Sequence, residues 1–418
     1  MSERKILGIN SLGRIGKLTL WHHAGRKYFD GIVVSQGREV GLDLEAFCET
    51  ISKDSTYGPV HHVLHGRGAE PCVKIEDRGK KLLRVNGVPV TILTEQRNPM
   101  NIPWREHGAR IVVDCTGQFN DPTLLEDDAK GSLRGHLVGG AEKVLNSADL
   151  KPKARGTTMP GDAVVLIYGV NHEAYDPSTH HVISAASCTT TGLAHMMKPL
   201  IDTLGVESIV TASMSTIHAA TNTQSVLDSV PKTGAKDLRK TRSVFNNIIL
   251  TSTNAAAALE KVIPVIRSIG FMADSVRIPT TTASLIVLNL TFRSALDVNG
   301  EPTIHRERLN GIYTDAGKAA QKGLLKLSME QNVSTDMIGE DAAVVIEGVE
   351  THTRTGFLVL DLSTVPGLPK EALAAVKEPT IKVPVTHAKI FGWYDNEYGS
   401  YTNRLAELTL HVAERMYS

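Results

Sequence analysis

The sequence predicts an α/β fold in two parts, an open parallel sheet over the first 180 residues or so and a mixed α+β second half. Two observations carry this. The first forty residues alternate a short apolar run, a glycine-bearing turn, an amphipathic stretch and a second apolar run, which is the pattern of a βαβ unit. After about residue 200 the apolar runs become alternating or β-rich and are interspersed with helical periodicity. At 418 residues, against roughly 150 per domain, the chain is long enough for two or three cores.

Taken in order, the spacing predicts a strand over Lys5–Ile9, a tight turn over Asn10–Gly13, a helix from Arg14 to about Gly25 and a strand over Gly31–Ser35. Buried strands follow at Ala109–Cys115 and Ala163–Tyr168, so this part reads as parallel throughout. A helix over Leu193–Leu204 leads into the second half. There strands are expected at Ser208–Ile217, Ala283–Phe292, Gly356–Leu362 and Ala388–Trp393, and helices at Ala255–Ile269 and Thr314–Glu330. Apolar residues at helical spacing over Asn403–Met416 predict a last helix that packs back on the first domain.

Composition narrows the function. Hydrophobic residues make up 41% and charged residues 22%, ordinary for a globular chain. Forty-five basic residues balance forty-five acidic ones, so no overall basic field favours nucleic acid or anionic lipid. No apolar run approaches the roughly 18 residues of a membrane span, and the N-terminal apolar run is too short for a signal-peptide core. Cys48, Cys72, Cys115 and Cys188 are far apart and lack metal-ligand spacing. A reduced, cytoplasmic protein without a metal is the expectation.

Two stretches carry chemistry. Between the first strand and helix lies Gly8-Ile-Asn10-Ser11-Leu-Gly13-Arg14-Ile15-Gly16, placed where a dinucleotide fingerprint brings backbone close to a pyrophosphate at a helix N-terminus. Ser11 replaces its first glycine. Further on, Cys188 sits in Ser187-Cys188-Thr189-Thr190, where a strand ends and a helix begins. A helix N-terminus depresses a thiol pKa, and the flanking hydroxyls and N–H groups suit an anionic oxygen. His218, after a second apolar strand, is the candidate acid–base partner.

These residues resemble the phosphorylating glyceraldehyde-3-phosphate dehydrogenases. The landmarks run in order through Gly8–Gly16, Asp54-Ser-Thr56 with Gly58, Gly169-Val-Asn171-His172-Glu173, Ser187–Thr190, Arg277-Ile-Pro279, and Trp393-Tyr394-Asp395-Asn396-Glu397 with Asn403-Arg404. The resemblance implies a Rossmann-like dinucleotide-binding domain over 1–187, completed by a C-terminal helix within 398–418, and an α+β catalytic domain with a mixed or antiparallel sheet over 188–397. It implies oxidation of glyceraldehyde 3-phosphate to an acyl phosphate through a hemithioacetal and a thioester on Cys188, with His218 as base and inorganic phosphate as acceptor. A related substrate such as erythrose 4-phosphate, or a catalytically weak cofactor-binding paralogue, are the alternatives. Arg277 and Thr221 resemble the site for the substrate's own phosphate. Ser187, Thr189, Thr253 and Asn254 resemble the site for the attacking phosphate, with Asn254 standing where the family has glycine. Cofactor contacts are expected from Asn10, Gly13, Arg14, Ile15, Gly16, Gln36, Arg38, Arg97, Thr116, Gly117, Ser147 and Asn396. A homotetramer is also implied.

Other departures from the family pattern bear on detail. No carboxylate stands at the usual ribose position after the second strand, where the chain reads Ser35-Gln36-Gly37-Arg38-Glu39. Arg38 suits the 2′-phosphate of NADP and Glu39 the ribose hydroxyls of NAD, so either cofactor is open. Five basic residues against Asp237 between Lys232 and Arg242 add weight to NADP tolerance. One extra residue within Tyr398–Asn403 is expected to displace a nicotinamide-stacking tyrosine. Roughly residues 295–385 match the family poorly and are read as carrying an insertion.

Overall fold

A computed structural model describes residues 4–154 and 156–417. Its first sheet has nine strands, in the spatial order 163–165, 182–184, 143–146, 109–114, 6–10, 31–35, 88–93, 82–85 and 73–77. The first seven of these are parallel, and the last two form an antiparallel hairpin with strand Val88–Leu93. That hairpin departs from the all-parallel reading. Its strands lie at the sheet edge with alternating burial, so they carry no continuous apolar run to mark them.

From Ile6–Asn10 the chain builds outward first on one side and later on the other, so the strands 6–10 and 109–114 are neighbours although about a hundred residues apart. The gap above their carboxyl ends is the topological switch point, where α/β sheets bind ligands. Helix Arg14–Arg26 starts there. Its N-cap is Gly13, which has no side chain to bond the first-turn N–H groups, and no acidic residue stands in the first turn. The helix end is left open to an anion.

The second sheet runs in the order 249–251, 270–278, 209–219, 284–293, 380–394, 344–347 and 325–328, and strand 352–361 pairs beside 380–394. It mixes parallel and antiparallel pairs. Helices Cys188–Leu204, Ala255–Val262 and Arg306–Lys318 contribute to one apolar core with strand residues such as Met214, Leu288 and Ile390. Two helix expectations are corrected. The stretch 255–269 breaks at Pro264, which lacks an N–H and starts a separate 3₁₀ turn. The second expected helix is shifted towards the N-terminus to 306–318, and the chain is already a strand at Leu325–Ser328.

Helix Asn403–Tyr417 packs Leu405, Leu408, Val412 and Ala413 into the core that holds Leu7, Ile9 and Leu20. The extra residue just before it is absorbed as a π-helical turn over Tyr398–Thr402. Tyr398 stacks on His22 at 4.2 Å between ring centroids. Tyr401 is buried and donates its hydroxyl to Ser147 O at 2.5 Å and Ala186 O at 3.2 Å.

Three buried histidines on these helices link stability to pH. His22 is lowered to about 3 by burial and nearby Arg26, and His195 to about 4 by burial. His23, which has no partner on either ring nitrogen, is also driven well down by burial. Each is neutral when folded but protonates near pH 6.5 when unfolded, so unfolding takes up protons as the pH falls. Unfolding free energy from urea titrations should therefore decline below pH 6.5, by about 1.4 kcal/mol per pH unit for each fully linked histidine. His23→Leu should make the decline shallower; an unchanged pH profile in that variant would contradict this account.

Candidate active site

Strand Val182–Ser184 runs into helix Cys188–Leu204 through a bend in which Ala186 takes a positive φ of 56°. Such strain in a non-glycine residue is held only by its surroundings, here by Ser184 Oγ accepting from Ala186 N at 2.9 Å. Ser187 caps the helix, its Oγ accepting from Thr190 N at 3.2 Å. Cys188 is thereby set at the first helical position with its Sγ 3.4 Å from His218 Nε2. His218 comes from the end of strand Ile209–Ala219 and is 3% exposed.

The electrostatics differ from the sequence expectation in one respect. Burial pushes the Cys188 thiol up, and the opposing pull of Arg277 and the Thr189 N–H and hydroxyl does not overcome it. His218 is lowered to about 3, by burial first and by Arg277 second. A helix N-terminus alone does not make a thiolate here, because the desolvation cost of the charge is larger. In this arrangement the pair is neutral at pH 7.

Arg277 stands opposite His218 in register on the neighbouring strand Gly270–Ile278. Its Nη1 contacts His218 Nδ1 and donates to Ala219 O at 3.2 Å, while its buried Nε has no partner among the described residues. Ser187 and Thr189 flank Cys188, but their hydroxyls are engaged. Ser187 Oγ serves the helix cap, and Thr189 Oγ1 lies 2.9 Å from Tyr394 Oη. Thr221 lies on the turn beyond His218, with its hydroxyl on Thr223 and Gln224. Thr253 accepts from Ala255 N at 3.2 Å at the start of helix Ala255–Val262. Asn254 has φ of −100°, so the backbone does not need the glycine expected there, and its exposed side chain makes no capping bond.

Around the cofactor turn, Ser11 adopts φ of 84°, taking the left-handed conformation that the missing glycine would supply. Gly16 is obligatory for space, since a Cβ there would lie 1.8 Å from Ser11 O. Gly13 and Ile15 lie at the open helix end, Gly13 exposed and Ile15 partly buried. At two of the expected cofactor residues the side chains have partners within the protein. Asn10 donates its amide to the buried Asp114 at 2.8 Å, so its side chain supports the turn from beneath. The Arg14 guanidinium is taken by Asp54 and Glu397, leaving its main-chain N–H for an anion.

Asp114 was not singled out by sequence, yet it organises this end of the sheet. Fully buried, it accepts from Thr116 N at 3.0 Å, Thr116 Oγ1 at 2.6 Å and Asn10, and lies 3.0 Å from His136 Nε2. Burial pulls its pKa upward, but His136, Thr116 and Asn10 together hold it below the ordinary carboxylate value. Trp104 Nε1 donates to His136 Nδ1 at 2.9 Å, which makes Nε2 the protonated nitrogen that faces Asp114. A carboxylate at the end of an apolar strand, just before Thr116 and Gly117, was the available signal. Gly117 follows with φ of 65°, and Ser147 N bonds Asp114 O at 2.9 Å.

Asn396 is 4% exposed, and its Oδ1 accepts from Ser284 Oγ at 2.8 Å, which orients the amide nitrogen as a donor. At the far end of the cleft Gln36 Oε1 accepts from Leu12 N at 2.7 Å. Arg97 Nε donates to Gly37 O at 3.0 Å, and Arg38 is exposed. Tyr394 was quoted by sequence only as part of a motif. Its hydroxyl bridges Thr189 and Thr216 at 2.9 and 2.8 Å, and its ring meets His218 edge-on at 6.1 Å.

Residues 5–122 match the family model for the glyceraldehyde 3-phosphate dehydrogenase NAD binding domain, and residues 187–360 match that for the C-terminal domain. The chain belongs to the glyceraldehyde-3-phosphate dehydrogenase family. It is similar to the glyceraldehyde-3-phosphate dehydrogenase of Streptomyces coelicolor, 32% identical over 98% of this chain and 99% of that one. Glyceraldehyde-3-phosphate dehydrogenase 2 of Bacillus subtilis is 32% identical over 98% and 97%. The cytosolic enzyme of Gracilaria gracilis is 33% identical over 98% of each. Membership makes the protein an oxidoreductase that acts on an aldehyde with a nicotinamide dinucleotide. The C-terminal family match runs to residue 360, so most of 295–385, read as an insertion, lies within the family domain.

The geometry of this family member yields two expected outcomes. Gly16→Ala should abolish dinucleotide binding and cost about 2 kcal/mol of stability, because the backbone it would strike cannot rotate away. Arg14→Met leaves Asp54 and Glu397 without their shared cation. Chemical denaturation should show a loss of about 3 kcal/mol, and calorimetry a weakened dinucleotide, whereas a stable, fully binding variant would show the bridge to be incidental.

Proposed function

We propose that the protein catalyses the phosphorylating oxidation of glyceraldehyde 3-phosphate to 1,3-bisphosphoglycerate. The observation that carries this reading is the contact between Cys188 and His218 with Arg277 directly behind it. As the aldehyde carbon approaches, Sγ attacks it and the thiol proton passes to His218 Nε2, giving a hemithioacetal. The open end of the first helix and Asn396 would hold a nicotinamide dinucleotide, which would supply the hydride acceptor for oxidation of this intermediate to a thioester on Cys188. An oxygen of inorganic phosphate then attacks the acyl carbon, Sγ leaves, and the acyl phosphate departs.

Because the pair starts neutral, the proton is transferred in step with attack, and charge develops only when an oxyanion shares it. The Cys188 N–H at the helix start and His218, once protonated, are placed to stabilise that oxygen. Arg277 is the phosphate clamp of this reading: its planar fork is permanently charged and its Nε is unsatisfied. Thr221 and the pair Thr253 and Asn254 line the approach for the two phosphates. Asn396 presents its amide nitrogen to the nicotinamide carboxamide.

The domain division 1–187 and 188–397 follows this division of labour, with the cofactor on one side of Cys188 and the acid–base and phosphate residues on the other. Assembly as a homotetramer is supported by the run of exposed apolar side chains Val226, Leu227, Val230, Leu238, Phe245, Ile248 and Leu250, which a partner subunit would cover. A cytoplasmic location agrees with the similarity to the cytosolic enzyme of Gracilaria gracilis. No helix among the described residues is long and apolar enough to cross a membrane.

A steady-state assay with glyceraldehyde 3-phosphate, NAD and NADP in parallel, with and without inorganic phosphate, tests substrate and acceptor together. Turnover should require phosphate, and Cys188→Ser should form no acyl-enzyme by intact-mass spectrometry. Arg277→Lys should lower kcat/KM by about tenfold or more, since a point charge does not replace a fork. Phosphate-independent turnover, or erythrose 4-phosphate as the better substrate, would overturn the assignment.

A further inference from the structure

The end of strand Gly31–Ser35 offers two side-chain oxygens that could accept from the hydroxyls of an adenosine ribose, Gln36 and Glu39. Both are already held. Gln36 Oε1 is bound to Leu12 N at 2.7 Å, in the cofactor turn itself. Glu39 Oε1 accepts from Lys81 Nζ at 2.7 Å and from Thr94 Oγ1 at 2.8 Å, and Lys81 also reaches Glu95 at 3.3 Å. Lys81 lies just before strand Leu82–Val85, and Thr94 just after Val88–Leu93. The antiparallel hairpin that sequence did not foresee is what brings this clasp to the cofactor side.

With Gln36 Oε1 and Glu39 Oε1 engaged, two cationic side chains complete this end. Arg38 is exposed, and only its Nη1 is engaged, with Glu39 O at 3.2 Å. Arg97 is anchored by Nε to Gly37 O at 3.0 Å. The two loops that carry them are in close contact, since a Cβ on Gly37 would lie 2.8 Å from Gln96 O and 2.9 Å from Arg97 Cγ. A ribose bearing a 2′-phosphate finds donors here, and one with free hydroxyls finds no carboxylate.

We propose that Lys81 is a positioning residue for dinucleotide choice: by holding Glu39 against Thr94 it keeps a carboxylate off the ribose and leaves Arg38 and Arg97 to receive a 2′-phosphate. The proposal rests on the dinucleotide-binding part of the reading above and is independent of the chemistry at Cys188. Releasing Glu39 would supply a ribose acceptor and a charge that repels the phosphate.

The test is calorimetric binding of adenosine 2′,5′-bisphosphate and of 5′-AMP, which differ only in the 2′-phosphate, to the full-length protein. The wild type should prefer the bisphosphate. Lys81→Met should shrink that preference by about fivefold, Lys81→Arg should keep it, and Lys81→Met with Glu39→Gln should restore it. Glu39→Gln alone should leave it unchanged. The clasp is overturned if wild type prefers 5′-AMP, if Lys81→Met leaves the ratio unchanged, or if Glu39→Gln alone weakens 5′-AMP severalfold, since Glu39 would then already be on the ribose. Acyl-enzyme formation at Cys188, measured by mass spectrometry in the same variants, separates a failure of this proposal from a failure of the catalytic reading.

Discussion

The Arg14 guanidinium, held between Asp54 and Glu397, is the interaction on which the catalytic geometry depends. Arg14 opens the first helix, Asp54 lies in the short hairpin near it, and Glu397 directly follows Asn396. Burial works against both carboxylates. Lys17, the Thr56 N–H and Arg14 nevertheless hold Asp54 below its ordinary value, whereas Glu397 is pushed up despite Arg14. One cation therefore ties the turn before the first helix to the segment that carries Asn396. Beside it, Tyr57 donates to Asp395 at 2.7 Å and accepts from Tyr398 N at 3.1 Å, a second stitch between the same segments. Ion pairs so placed add little net stability compared with an apolar substitute, but they fix orientation, and breaking one partner is costly.

Desolvation decides the charge state wherever the site is buried. At Asp114 it is outweighed, because each of its two carboxylate oxygens has two neighbouring donor groups. At Cys188 and His218 it prevails: Arg277 and the Thr189 N–H and hydroxyl do not repay it at the thiol, and at the imidazole the Arg277 charge adds to it. One site thus contains a carboxylate kept charged and a thiol–imidazole pair kept neutral.

Much of the fold was legible along the chain. The strand at Gly31–Ser35 and the helix from Arg14 follow from apolar periodicity and a glycine just before the first turn. Cys188 was legible as a helix-start thiol because Ser187 is a strong capping residue. The edge hairpin was not, since Val73–Asp77 has no buried face to impose a pattern. Nor was the role of Asn10, whose amide looks equally suited to a ligand or to a buried carboxylate a hundred residues away. The extra residue within Tyr398–Asn403 was legible, but the π-turn that leads from it straight into the last helix was not.

By itself, the sequence determined the βαβ start, the glycine at position 16, the helix that follows Cys188, and the family, because these depend on local periodicity, turn chemistry and contiguous motifs. Tertiary structure alone decided which polar side chains remain free for ligands. Arg14, Asn10, Thr189 and Glu39 each carry suitable chemistry in the sequence, and each is already engaged by a partner that folding brings from elsewhere. A buried or bridged polar group must satisfy its hydrogen bonds where it lies, and that requirement is set by long-range packing rather than by its neighbours in the chain.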